Sequence, residues 1–174
     1  NNQKAVMGIK VLTDRNDSAH YEDIVYQHYL MGMLKLASMD DDAHVYLEKF
    51  VNNFRGKFYL KQALQRLSWY YYIHGNMDAA NKYRAMILSR GSTDIDEDKQ
   101  ALKEAKSGKW PNPILLKARL LSDGGLFNEA LKQLQNKKAA DFALIEERLE
   151  YAYRLGRIYD EMGMDDKAIQ MYDA

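Results

Sequence analysis

One stretch of the chain carries the side chains of a cation site. The residues DIDEDKQALKEA, which begin at Asp94, place acids at alternate positions, as the start of an EF-hand calcium loop does. Lys99 stands at the sixth position, where that loop needs glycine, and Ala105 stands at the twelfth, where it needs a bidentate glutamate. The stretch is therefore not predicted to bind calcium, and its acids suit the start of a helix better.

The histidines and the remaining acids form no recognisable catalytic pattern. No two histidines have the i, i+4 spacing of a helical metal site, and the motif H-E-x-x-H is absent. The phosphate-binding motifs G-x-G-x-x-G and G-K-[ST] are absent too. The run Asp40–Asp42 is interpreted as the N-terminal cap of a helix. We therefore expect no enzyme, no metal and no cofactor, with a helical enzyme of unrecognised type as a third hypothesis. The histidines are His20, His28, His44 and His74.

Charge and hydropathy argue against two classes of partner. The 25 basic and 25 acidic residues give a net charge of zero, whereas a general nucleic-acid surface needs a basic excess. No apolar run reaches the length of about 20 residues that crosses a bilayer. The chain has no cysteine, so disulfides and thiolate metal sites are excluded. We expect no nucleic-acid partner and no membrane insertion by this segment.

The elements that position any site are predicted to be helices. Ala, Leu, Met, Lys, Glu and Gln are abundant, and these side chains lose little entropy in a helix. The alternation of apolar and polar residues that marks a half-buried strand is hard to find. Pro111 and Pro113 suit the start of a helix, where the first N–H groups have no intrahelical partner. The fold class is therefore predicted to be all-α.

The closing residues carry the spacing L-G-x-x-Y, then a glycine turn, then A-x-x-x-Y. These positions are Leu155, Gly156, Tyr159, Gly163, Ala168 and Tyr172. The pattern resembles the tetratricopeptide repeat (TPR), in which small residues let two antiparallel helices approach closely. Similar turn-following alanines occur at Ala43, Ala80 and Ala130, although their intervals exceed the usual repeat length of about 34 residues. An unrelated helical bundle that matches by chance is the alternative.

This resemblance implies a TPR-like α-solenoid, a right-handed superhelix of antiparallel helix pairs. We expect a single helical repeat domain over residues 1–174, with about four units and one inserted helix. The units are placed at 19–54, 57–90, 111–137 and 141–174, and the insertion at 91–110. Within these ranges helices are expected at 19–37, 41–54, 57–74, 77–90, 112–123, 127–137, 141–162 and 165–174, with the inserted helix from about Asp96 to Lys106 and a further helix within 3–12.

The resemblance also implies a binding surface. In this family the first helix of each unit lines a concave groove that recognises a partner. Carried over by position, the groove consists of His28, Tyr29, Gln65, Arg66, Trp69, Tyr72, Arg119, Tyr153, Arg154 and Arg157. Arginine and aromatic side chains are enriched at interface hot spots, and guanidinium groups suit carboxylates. In the alternative interpretation the rings pack between units and the arginines pair with nearby acids.

The expected function is therefore a non-enzymatic protein–protein interaction module, a scaffold that binds a partner peptide or protein segment on its concave face. The alternative is a structural or self-associating array that links further domains. The last helix would leave an apolar face uncapped, to be covered by a longer chain or by a second copy in a homodimer. That face consists of Ala168, Ile169, Met171 and Tyr172.

The sequence leaves the origin and the compartment open. The pattern is similar to divergent bacterial TPR proteins, including envelope ones, so both the bacterial cytoplasm and the periplasm are expected compartments for a soluble protein. The first residues, NNQKAVMGIK, lack an initiator Met and the apolar core of a signal peptide. We therefore expect a fragment of a longer chain.

Overall fold

The computed structural model describes Met7 and residues 21–173. This part of the chain contains helices and no strand, which confirms the all-α class. The helices are α1 (Tyr21–Ala37), α2 (Ala43–Asn53), α3 (Leu60–Ile73), α4 (Met77–Ser89), α5 (Asp96–Ser107), α6 (Pro113–Asp123), α7 (Phe127–Leu134), α8 (Ile145–Glu161) and α9 (Asp165–Tyr172), with a 3₁₀ turn at Ala139–Asp141. The helix predicted within 3–12 lies outside the described residues, apart from Met7.

Most helix boundaries lie close to the predicted ones. The inserted helix is present as α5, and α6 begins at Pro113, where the proline pair placed it. Asn112 caps α6, because its Oδ1 accepts the Ile114 N–H at 3.0 Å. Asp42 stands at the N-cap of α2 but caps nothing, since its carboxylate accepts instead from Lys35 Nζ at 2.7 Å. None of the described helices is both long and apolar enough to span a bilayer.

The chain divides into two compact units. Unit 1 contains the described residues up to Leu36 and those from Asp40 to Trp110, so it holds α1 to α5. Unit 2 contains Ala37–Met39 and the residues from Pro111 onward, so it holds α6 to α9. The superhelical arrangement and the TPR geometry stay predictions.

Helix α3 is the centre of unit 1. It packs against α2, α4 and α5. Apolar residues at positions 60, 63, 64 and 67 have the spacing of one helix face, and all of them are buried. The neighbouring helices bury Phe50 of α2, Ile87 of α4 and Ala101 of α5. A helix at the centre of a core needs its end groups satisfied by other elements, because water does not reach them.

A single buried carboxylate satisfies the N-terminus of α3. Tyr59 precedes this helix with φ at 62°, and no side chain of its own segment caps the helix. Asp98 of α5 supplies the acceptors: one oxygen accepts the Tyr59 N–H at 2.8 Å and the other accepts the Gln62 N–H at 2.9 Å. The Asp98 side chain is fully buried, and burial raises its pKa while these N–H groups oppose the rise. The inserted helix is thereby fixed to the core helix.

Cationic side chains satisfy helix C-termini in the same unit. Buried Lys61 donates to the Ile87 carbonyl near the end of α4 at 2.6 Å. Arg90 donates to the Val51 carbonyl of α2 at 2.6 Å, and Arg84 donates to the Lys109 carbonyl just beyond α5 at 2.9 Å. Positive charge is favourable at a helix C-terminus because the unpaired carbonyls carry partial negative charge. Unit 1 therefore holds its helices together through their ends as well as through apolar packing.

Unit 2 has its own apolar core between α6, α7 and α8. Its buried members are Leu115, Ala118, Leu121, Ala130, Leu134, Phe142, Tyr151, Leu155 and Ile158. Helix α9 packs against α8. The two helices approach closely at Gly156, as predicted, since a Cβ on this residue would lie 2.5 Å from Cε1 of the Tyr172 ring. Ala168 is buried and Met171 is partly buried against this core, so the assignment of these two residues to the uncapped face was wrong, whereas Ile169 and Tyr172 are exposed.

Replacing Asp98 by Asn should lower the free energy of unfolding by about 2 kcal/mol, because an amide nitrogen would face a backbone N–H and leave that buried donor unpaired. Chemical denaturation followed by circular dichroism measures the change. Asp96→Asn, on the exposed side of the same helix, is the matched control and should leave stability unchanged. Equal stability of the two variants would contradict the capping role of Asp98.

Candidate functional site

The residues predicted to form the groove are distributed over both compact units. Unit 1 holds His28, Tyr29, Gln65, Arg66, Trp69 and Tyr72, and unit 2 holds Arg119, Tyr153, Arg154 and Arg157. Each set has its own environment within its unit.

Three of the predicted groove side chains in unit 1 are part of the core. Tyr29, Gln65 and Trp69 are each at most 6% exposed. The Tyr29 hydroxyl donates to Gln62 Oε1, and burial raises its pKa above the ordinary tyrosine value. Gln65 Nε2 donates to Glu104 Oε2 at 2.6 Å, so α5 reaches across this side of α3. These residues therefore offer a partner very little surface.

Arg66 and Tyr72 are engaged in stacked pairs. The Arg66 guanidinium lies 4.2 Å from the centre of the Trp69 ring, and it donates to Gln65 Oε1 at 3.0 Å. The Tyr72 ring stacks on Trp110 with centroids 4.7 Å apart. Sequence reasoning did not include Trp110, because it stands in the insertion and was assigned no helix face. Its place directly after α5 brings it to Tyr72.

His28 is a partly buried histidine. Its Nδ1 is buried and has no hydrogen-bond partner among the described residues. Its ring lies 6.3 Å from the ring of Tyr46, centroid to centroid. Burial lowers the pKa of His28 below its ordinary value, and the charge of Lys49 lowers it further. The neutral form of His28 is therefore favoured in the folded chain.

The arginines of unit 2 pair with acids, as the alternative interpretation predicted. Arg119 Nε donates to Glu150 Oε1 at 3.1 Å, and its terminal nitrogen binds the same oxygen. Arg154 Nε also reaches Glu150 Oε1, at 3.4 Å. Arg157 binds Asp160 at 3.3 Å and Glu161 at 2.7 Å along its own helix. Paired arginines do not present an open cation to a carboxylate, which weakens that part of the predicted recognition.

One cleft in unit 2 is lined by three of the predicted groove residues, Tyr153, Arg154 and Arg157. It has a volume of about 240 Å³ and lies between the end of α6, the start of α7 and the second half of α8. The lining residues are Ser122, Asp123, Phe127, Tyr153, Arg154, Arg157, Ile158 and Glu161. We call this the Tyr153 cleft. Five of the lining residues were not predicted, because the positions carried over from the resemblance did not include them. These are Ser122, Asp123, Phe127, Ile158 and Glu161.

The chemistry of the Tyr153 cleft suits a side chain better than a metabolite. Its volume of about 240 Å³ lies below the range of roughly 300–1,000 Å³ typical of small-molecule sites. Two guanidinium groups and two carboxylates line it, so its formal charges balance. Phe127 and Tyr153 supply its accessible apolar surface, because Ile158 is fully buried. Among the described residues, no group of three or more His, Asp or Glu side chains could hold a metal ion.

Comparisons with known proteins add no relative. No family model, no curated protein and no solved structure matches the chain. The TPR resemblance therefore stays a prediction.

The partly buried His28 should make stability depend on pH. Because the folded-state pKa of His28 lies below its unfolded value of about 6.5, the unfolded chain takes up the proton first as the pH falls. His28 therefore costs stability as the pH drops from about 6.5 through the lower folded-state pKa. His28→Phe should show a smaller loss of unfolding free energy in that window.

The control for this prediction is Lys49→Gln, which keeps the histidine and removes the nearby charge. It should raise the pKa of His28 toward its ordinary value, as measured from the imidazole proton shifts by NMR. A wild-type pKa at or above about 6.5 would contradict the effect of burial.

The shared carboxylate of unit 2 should matter for stability. Glu150→Gln should lower the free energy of unfolding by about 1–2 kcal/mol, because Arg119 and Arg154 are each roughly four-fifths buried and lose a common charged acceptor. Glu161→Gln removes a more exposed pair with Arg157 and should cost less than about 0.5 kcal/mol. Equal effects of the two substitutions in urea denaturation would refute this ranking.

Proposed function

We propose that this chain is a non-enzymatic protein-interaction module of the TPR type, and that the Tyr153 cleft receives a side chain from a partner's peptide segment. The observation that carries the proposal is the cleft itself, which gathers Tyr153, Arg154 and Arg157 beside the apolar wall of Phe127. Tyrosine and arginine are among the side chains that are enriched at interface hot spots.

The exposure of the lining residues favours a ligand that arrives from outside. Tyr153 is 54% exposed, so its ring is accessible to a partner at the cleft. The Arg154 guanidinium, which Glu150 holds, lies 5.9 Å from the Tyr153 ring and so supports the ring at the cleft. Since the cleft charges balance, we expect an aromatic or apolar side chain of the partner to enter, with polar contacts at the rim.

The lining residues do not favour catalysis at this cleft. The Ser122 hydroxyl donates to the Ala118 carbonyl at 2.8 Å, one helical turn back, and no histidine lines the cleft to act as its base. The carboxylates of Asp123 and Glu161 lie among charged neighbours and solvent rather than in an apolar pocket. A binding role requires none of these groups to act as a nucleophile, an acid or a base.

The alternative function is a structural or self-associating array. The observation that favours it is the exposure of Ile169 and Tyr172 on α9, which another polypeptide could cover.

In the leading proposal unit 1 acts as a rigid support, since its buried caps and stacked rings hold its predicted groove residues in place. Arrangement of both units in one superhelix is part of the same proposal.

Selection from a phage-displayed library of random peptides tests the cleft. We expect the chain to enrich peptides that share an aromatic or large apolar residue and bind with Kd of about 1–100 μM. The double variant Tyr153→Ala/Arg157→Ala should weaken binding by about tenfold or more, because both side chains line the cleft. Fluorescence anisotropy with the selected peptides measures the change.

The matched control is Phe58→Ala, which removes an exposed aromatic ring from unit 1. It should leave binding unchanged. Failure to enrich any peptide, or equal binding by the wild type and the double variant, would reject the cleft as the recognition site.

A further inference from the structure

Helices α8 and α9 share an exposed apolar face that the Tyr153 cleft does not explain. We define the α8–α9 face by Ile145, Leu149, Tyr153, Ile169 and Tyr172, whose exposed fractions lie between 48% and 70%. Single exposed apolar residues are normal on a protein surface, but a contiguous row of large ones marks an interaction site.

Helix geometry makes this row contiguous. Ile145, Leu149 and Tyr153 follow one another at intervals of four residues, so they lie along one side of α8. Ile169 and Tyr172 are three residues apart and neighbours on α9. The two helices join at Tyr172, whose ring rests on Gly156 and lies 6.5 Å from the Tyr153 ring, centroid to centroid. The face therefore extends over about two helical turns of α8 and continues onto α9.

The rim of the α8–α9 face is acidic. Glu146 lies three residues from Leu149, and Asp165 and Asp173 lie one turn to either side of Ile169. These three acids form no salt bridge with any other described residue. Among the nearby cations, Arg157 is held by Asp160 and Glu161 of its own helix, and Arg148 donates to the Phe142 carbonyl. Lys167 is exposed beside Ile169, opposite four exposed acids, Glu146, Asp165, Asp166 and Asp173, so the rim keeps a net negative charge.

We propose that the α8–α9 face docks an amphipathic helix of a partner protein, with apolar residues at i, i+4 and i+8 and Lys or Arg on its flanks. A single helix matches the strip, because its apolar side repeats at the spacing that Ile145, Leu149 and Tyr153 present. Basic flanks complement the acidic rim. A second copy of the same face would bring acids against acids, so the charges disfavour a homodimer here.

This inference does not depend on the cleft. Ile145, Leu149 and Ile169 do not line the Tyr153 cleft. Their replacement should therefore leave the binding of library-selected cleft peptides unchanged, so the failure of one proposal can be told from the failure of the other.

The probe is a synthetic helical peptide of about 18 residues, with leucines at the stated spacing and lysines on both flanks. The matched probe carries glutamates in place of the lysines. The protein is the chain of residues 1–174, as wild type and as Ile145→Ser/Leu149→Ser. Because both side chains are well exposed, this double variant should fold like the wild type, which circular dichroism verifies.

We expect the lysine probe to bind the wild type with Kd of about 10–100 μM and the double variant about tenfold or more weakly. The glutamate probe should bind the wild type at least about fivefold more weakly than the lysine probe, and salt should reduce this difference. Absence of binding by the lysine probe at about 1 mM, or equal binding of the two probes, would overturn the proposal. Sedimentation showing a wild-type dimer that the double variant loses would also overturn it, in favour of a second copy.

Discussion

The buried carboxylate of Asp98 is the constraint on which unit 1 depends. The central helix α3 begins after Tyr59 without a cap of its own, so its first N–H groups would be buried and unpaired. Asp98 accepts two of them, and this is possible only if α5 lies against α3. The contact of Gln65 with Glu104 then follows from the same placement of α5. The helix that was predicted as an insertion is part of the core of unit 1.

This placement changes which residues are available for recognition. On the α3 side of unit 1, the inserted helix and its neighbours occupy the side chains that a groove would use, and Trp69 is almost fully buried. In unit 2, α8 keeps Tyr153 exposed and presents two surfaces around it. One is the small cleft with balanced charge, and the other is the apolar strip with an acidic rim. The two surfaces suit different ligands, a side chain in the first and a helix on the second.

The sequence predicted the helices well because helix signals are local. Proline at Pro113, glycine at Gly156 and apolar residues at helical spacing act within a few residues of themselves. The site was harder to predict, since periodicity shows which face of a helix is apolar but not which element covers it. Gln65 has a polar side chain and was expected at the surface, yet it is buried against α5. Asp98 stands at an acidic position of the calcium-loop pattern, and no local signal indicated its role as a cap. Its partners, Tyr59 and Gln62, are distant in sequence.

The central claim is that partner recognition occurs at the Tyr153 cleft. Amide NMR spectra of the chain, recorded as a library-selected peptide is added, test it most directly. We expect the largest shifts at Phe127, Tyr153 and Arg157, with the residues of α3 unaffected. Shifts absent from unit 2 would contradict the claim. Shifts centred on Arg66 and Tyr72 instead would also contradict it and would indicate that the partner binds unit 1.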